Sequence, residues 1–120
     1  MSWEYSQHSK TLKHNGHIIT TGYSGRNEGL NNPDMEGSPN VGPIPRGRYT
    51  IGRSYHHETK GPVTMKLSLY GHNALGRSNF SIYGDNNRLN STASEGCIIL
   101  NREARELISA SGDAMLDVVR

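Results

Sequence analysis

The sequence predicts a small, mainly β single domain with one short helix late in the chain. Three observations carry that prediction. The chain has 120 residues, a length that suits one core. It holds 14 Gly and 5 Pro, which demand many turns and so favour short strands over a helix bundle. Hydrophobic residues make up only 32%, so the core is thin. They recur along the whole length, which separates the chain from a disordered one.

Each element follows in order. Trp3 to Ser6 reads as a strand. Thr11 to His14 and His17 to Thr20 flank Asn15-Gly16, and Asn-Gly between two β-like runs signals a hairpin because both residues accept positive φ. Residues 21 to 45 carry five Gly and four Pro with no hydrophobic period. The segment exceeds the usual connection of about 4–6 residues, and the expectation is an ordered loop that borders a functional cleft. The two prolines of Gly42-Pro43-Ile44-Pro45 fix an extended approach, Gly47 permits a tight turn, and Arg48 to Ile51 alternates into a strand. Ser54 to Pro62 reads as a polar loop, with His56-His57 solvated.

Val63 to Tyr70 is a half-buried strand, with Val63, Met65, Leu67 and Leu69 on one face. Gly71 to Arg77 is a loop, and Phe80 to Tyr83 is the next strand. Asn101 caps a helix through Ile108 whose stripe is Ala104, Leu107 and Ile108. Ser111-Gly112-Asp113 ends that helix, and Ala114 to Val119 is a final strand. No repeat or second domain is visible, so residues 1–120 form one domain.

The formal charge is +2, and the basic residues do not cluster, which argues against nucleic acid. A single cysteine excludes an internal disulfide and a Cys-Cys zinc pair. His14 and His17 have no third ligand near them and are expected to be exposed turn residues. No metal or cofactor is expected. No apolar stretch is long enough to cross a bilayer, and Met1 to Tyr5 has no signal-peptide pattern. The expectation is a chain made in the cytosol and, if it acts elsewhere, carried by a route other than a cleaved signal.

The most informative stretch runs from Phe80 to Asn101. It contains the one cysteine, Cys97, between Ser94-Glu95-Gly96 and the apolar run Ile98-Ile99-Leu100. A thiol at the edge of a Gly-containing turn can be exposed on one side and held on the other, as a nucleophile requires. The alternative reading is a small buried hydrophobe ahead of a core strand.

Gly84-Asp85-Asn86, followed by Ser91-Thr-Ala-Ser-Glu-Gly-Cys-Ile-Ile-Leu100, resembles the catalytic segment of L,D-transpeptidase-type (YkuD-related) domains. The closer likeness is to small toxins of that type delivered by type VI secretion. Gly42 to Tyr49, Gly76 to Phe80 and Ser94 to Ile98 match segments that recur in that group. The resemblance implies a β-sandwich or barrel with one short helix after the cysteine. It also implies cysteine-dependent L,D-carboxypeptidase or transpeptidase activity on tetrapeptide stems of peptidoglycan. Secretion without a signal peptide, action in the target-cell periplasm and a cognate immunity protein come with it.

Carried onto this chain, Cys97 attacks the carbonyl before the terminal D-alanine. A free thiol has a pKa near ~8.5, so the thiolate needs a nearby base or cation. The N–H groups of Gly96 and Cys97 form the oxyanion hole. Ser94 orients the base or a substrate carbonyl. Arg105 braces the loop or meets a stem carboxylate, and Asp85 holds the turn or polarises a neighbour. Arg77 and Asn86 complete the substrate-binding candidates.

The departure is Tyr83, which stands where the family places its general-base histidine. A phenol with pKa ~10 is a poor base at neutral pH. Three readings stay open: an inactive form, natural or engineered; His72 replacing the base from the adjacent loop; or Tyr83 acting itself. A non-catalytic module of the same fold, binding peptidoglycan or a partner protein, is the competing function. Glu95, where many relatives carry His, is a second departure that the toxin-like group accepts.

Overall fold

A computed structural model describes residues 2–84 and 96–120. Ten strands form in chain order: β1 (Trp3–Ser6), β2 (Thr11–His14), β3 (His17–Thr21), β4 (Tyr23–Ser24), β5 (Gly47–Ile51), β6 (Tyr55–His57), β7 (Gly61–Tyr70), β8 (Phe80–Tyr83), β9 (Ile98–Ile99) and β10 (Met115–Val119). Among the described residues one α-helix, α1 (Arg102–Ser111), lies between β9 and β10. The sheet order is β3-β2-β1-β10-β5-β7-β8-β9-β4, with β6 paired onto β7. The two ends of that order, β3 and β4, are separated only by Gly22, so the sheet curls into a nearly closed barrel. A side chain at Gly22 would run into the Ile99 carbonyl and the Leu100 side chain. Glycine is therefore required where the ends meet.

The period of two fills the barrel. Trp3 and Tyr5 of β1, Tyr49 of β5, Met65 and Leu67 of β7, Phe80 and Ile82 of β8, Ile98 of β9, and Leu116 and Val118 of β10 all face one core. This is the half-buried alternation that the strand patterns predict, except that in β7 Leu69, expected on the buried face, is exposed and Thr64, expected on the other, is buried. The Asn15-Gly16 turn has φ of 51° and 83°, the doubly positive pair expected of that hairpin.

Helix α1 begins where expected, with the Asn101 side-chain oxygen accepting the Ala104 N–H at 2.8 Å. It stops at Gly112, φ 72°, the left-handed stop glycine favours. The buried stripe differs from expectation: Ala104, Arg105 and Ile108 face inward, while Leu107 is exposed. Arg105 takes the inner position because its guanidinium finds backbone carbonyls there.

Two further differences concern polar segments. The 54–62 segment contributes β6, a short hairpin arm on β7 whose polar residues hid its pairing. His14 is not a free turn residue. Its ring stacks on Trp3 with centroids 3.9 Å apart, and Nε2 lies 3.1 Å from an Asp113 carboxylate oxygen. His17 is exposed as expected.

The long segment 21–45 is ordered by side-chain pegs. The Glu36 carboxylate accepts from Arg46 Nη2 at 2.6 Å, from the Arg46 backbone N–H at 2.9 Å, and from Gln7 Nε2 at 3.0 Å. Gln7 Nε2 also donates to the Ile44 carbonyl at 2.9 Å.

Candidate functional site

Strands β8 and β9 run parallel, with Ile82 beside Ile98 and Tyr83 beside Ile99. Because side chains alternate, Phe80, Ile82 and Ile98 enter the barrel core, while Ser81, Tyr83 and Ile99 face the other way. Cys97, one residue before β9, shares that outer face. Tyr83, Ile99 and Cys97, with Tyr23 of β4, make a second, smaller cluster, separate from the main core.

The Cys97 sulfur accepts the Ser81 backbone N–H at 3.3 Å. It lies 3.6 Å from the Asn79 carbonyl oxygen, to which the S–H donates. The Tyr83 hydroxyl also hydrogen-bonds the sulfur. The sequence led us to expect a partly exposed thiol, whereas Cys97 is only 5% exposed. Burial pushes its pKa above the ordinary thiol value. The Ser81 N–H, the Lys60 charge, the Tyr83 hydroxyl and the Arg77 charge pull it down, without overcoming burial.

Gly96 turns the chain into the cysteine with φ +122°, a conformation that side chains resist. The Arg77 guanidinium lies where a Cβ at position 96 would be. Arg77 is buried, and its Nη atoms donate to the carbonyls of Glu36, Gly42 and Pro43. It also sits over the Phe80 ring at 5.5 Å. Arg77 thus ties the 36–43 segment to the nucleophile's turn, and its position is that of a strut carrying charge beside the thiol. This gives it a different place from the substrate contact expected of it.

His72 does not join Cys97. Nε2 lies 2.9 Å from the Arg48 carbonyl oxygen, and Nδ1 accepts the Ala74 N–H at 3.1 Å. The proton is therefore on Nε2, and both ring nitrogens are engaged with backbone. The ring packs edge-on against Tyr49, a residue of the main core, and so belongs to the opposite side of the sheet from the thiol. Among the described residues no imidazole is among the groups that act on Cys97.

Arg105 braces rather than presents itself. Nε donates to the Leu100 carbonyl at 3.1 Å, and Nη1 to the Pro62 carbonyl at 2.8 Å. Its Nη2 lies against Gly84, at the end of β8. Asp85, Asn86 and Ser94 lie outside the described residues.

Sequence reasoning missed Lys60. Its ammonium sits 5.1 Å from the centre of the Tyr83 ring, and its charge bears on the Cys97 thiol. In the sequence it is one more polar residue of a turn, His57-Glu58-Thr59-Lys60-Gly61. Only the pairing of β6 with β7 carries it to the cluster.

The backbone donor, the phenol and the two cations offset part of the burial that disfavours the thiolate, and would hold a thiolate once it forms. No curated protein matches the chain. Among solved structures, that of Bdellovibrio bacteriovorus Bd1075 is similar, with a TM-score of 0.61 and 13% identity. The likeness covers 97% of this chain and 46% of that one, so this chain spans less than half of that protein, and the similarity concerns the fold alone. Residues 18–115 match the Tlde1 domain, a span that holds all three recurring segments, Gly42 to Tyr49, Gly76 to Phe80 and Ser94 to Ile98. The chain belongs to the Tlde1 domain family, a family of type VI secretion effectors.

Proposed function

We propose that this domain is an antibacterial toxin that cleaves peptidoglycan stem peptides, with Cys97 as the nucleophile. The observation that carries the reading is the setting of the Cys97 sulfur. It holds the Ser81 N–H at 3.3 Å and the Tyr83 hydroxyl, with the charges of Lys60 and Arg77 nearby. The thiolate attacks the carbonyl that joins meso-diaminopimelate to the terminal D-alanine. The C–N bond breaks, D-alanine leaves as the amine with a proton taken from solvent, which received the thiol's proton when the thiolate formed, and a thioester remains on Cys97. Water then releases the tripeptide as a carboxylic acid, and a D-amino acid in place of water gives exchange. The Gly96 and Cys97 N–H groups serve as donors to the developing oxyanion.

Tyr83 takes a different part from the histidine it replaces. A phenol beside sulfur donates to the thiolate and holds it, and it does not remove the proton. Because burial keeps the thiol's pKa high, the thiolate is a minor species at neutral pH, so turnover is slow and rises with pH. Type VI delivery, action in the target periplasm and a cognate immunity protein belong to the same reading.

The competing reading, a stem-binding module without turnover, draws on the burial of Cys97 and on Tyr83 itself. One experiment separates them. Tetrapeptide muropeptides are incubated with the protein, with Cys97→Ala and with Tyr83→His, and D-alanine loss is followed by mass spectrometry. Release by the parent or by Tyr83→His, abolished by Cys97→Ala, supports the enzyme. No release by any of the three defeats it. Stem binding retained in Cys97→Ala then leaves the binding module.

A further inference from the structure

We propose that Lys60 recognises a substrate carboxylate, which directs this site to a free C-terminal end or an acidic residue of a peptide and away from internal bonds between neutral residues. The inference rests on Cys97 being the reactive centre and adds the group that selects what reaches it. Lys60 is half-buried, and its ammonium lies over the Tyr83 ring at 5.1 Å. Tyr83 in turn touches the sulfur through its hydroxyl. Among the described residues this ammonium makes no hydrogen bond and no ion pair.

Several arginines of the fold are committed. Arg46 pairs with Glu36, Arg48 with Asp117, and Arg120 with Asp34. Arg77 and Arg105 bind backbone carbonyls. Among the described residues, Lys60 combines a charge that bears on the thiol with an ammonium that has an aromatic face on one side and no anion partner. Such a cation, partly stripped of water by the ring, gains from a carboxylate more than a fully solvated lysine does.

The turn that presents Lys60 is rigid. His57 Nδ1 accepts the backbone N–H groups of Thr59 and Lys60, each at 3.1 Å, and Gly61 takes φ +86° to re-enter β7. The ammonium is therefore held on the thiol's side of the sheet. A peptide whose scissile carbonyl meets Cys97 can satisfy Lys60 only if it carries a carboxylate near that carbonyl. A C-terminal residue supplies that carboxylate, as does an acidic side chain next to the bond, whereas an internal bond between neutral residues does not.

The test uses the whole chain and does not require turnover. Cys97 is alkylated with iodoacetate and, separately, with iodoacetamide, and the ratio of the two rates is taken. Both reagents read the same thiolate, so the ratio cancels any change in thiol pKa and reports recognition of the carboxylate. Lys60→Met should lower the iodoacetate-to-iodoacetamide ratio about fivefold, and Lys60→Arg should keep it. A ratio unchanged by Lys60→Met overturns the proposal, as does a native thiol that neither reagent modifies. If the ratio falls while muropeptides stay intact, the carboxylate site stands and the hydrolase reading fails.

Discussion

The Arg77 guanidinium fills the space beside Gly96 that any side chain at position 96 would need. The same guanidinium holds the carbonyls of Gly42 and Pro43, so the long 21–45 segment and the turn before the nucleophile are locked through one side chain. Gly96→Ala should therefore cost about 1–3 kcal/mol, from the positive φ and from displacing Arg77. Thermal unfolding of Gly96→Ala, Arg77→Ala and the double variant checks this. The double variant should lose less than the sum of the singles, because removing Arg77 clears the space. Strict additivity would show that the close approach is not what requires glycine.

Arg105 offers a second separation of scaffold from site. Its donors reach the carbonyls of Leu100 and Pro62, joining the start of α1 to the start of β7. Arg105→Met leaves the buried Leu100 carbonyl and the part-buried Pro62 carbonyl without this donor and should lower stability by about 2–3 kcal/mol in urea unfolding. Arg105→Lys should rescue little, since a single ammonium cannot reproduce the fork. The rate of iodoacetamide reaction at Cys97, measured well below the unfolding midpoint, should stay within about twofold of the parent. A large change in that rate would place Arg105 in the reactive site.

Much of the fold was legible because it rests on local chemistry. Asn15-Gly16 named a hairpin, Asn101 a helix start and Gly112 its stop, and the alternation of Met65 and Leu67 a half-buried strand. Each signal depends on a backbone conformation or a two-residue period that the chain carries in itself. The site was less legible because its parts come from separate strands. Cys97 and Gly96 were visible through their turn and their resemblance. Lys60 was not, since nothing in a polar turn says that it folds over Tyr83. His72 misled for the opposite reason: proximity in sequence to β8 placed it near the thiol, whereas the sheet puts its ring on the Tyr49 side. Arg105 was legible as a brace but not as a buried residue, because burying a guanidinium makes sense only once the carbonyls around it are known.

The hydrogen bond from Tyr83 to the sulfur makes a pH prediction. Burial raises the Cys97 thiol, and the Tyr83 hydroxyl is among the groups that lower it. Tyr83→Phe should move the alkylation midpoint further up in pH and slow iodoacetamide reaction at pH 8 about three- to tenfold. The sign for stability is the reverse of that for a carboxylate whose pKa is lowered by hydrogen bonds and a nearby cation. A folded-state thiol pKa above its unfolded value contributes stability below the ordinary thiol range and loses it as pH rises through the folded value. Cys97→Ala should accordingly unfold with a flatter pH dependence on the alkaline side. Parent and Tyr83→Phe profiles that superimpose would remove Tyr83 from the thiol's environment.

Glu36 sets the acid side. Burial works against its ionisation, but hydrogen bonds from the Arg46 side chain and backbone and from Gln7, with the Arg46 charge, pull its pKa down from 4.5 to about 2. A carboxylate pKa lowered by folding contributes stability at pH above 4.5, lost as pH falls from there through about 2. Arg46 is half exposed, so solvent screens the pair and the contribution is about 1 kcal/mol. Glu36→Gln keeps the shape while removing the charge. It should lower stability at pH 7 by that amount and flatten the decline of the unfolding free energy between pH 5 and 2. Urea unfolding of both proteins across that range measures the difference. Because Glu36 also pegs the segment whose carbonyls hold Arg77, the same substitution should increase the protease sensitivity of the 36–43 segment at neutral pH. Equal slopes for parent and Glu36→Gln in the acid limb would show that another carboxylate governs acid unfolding.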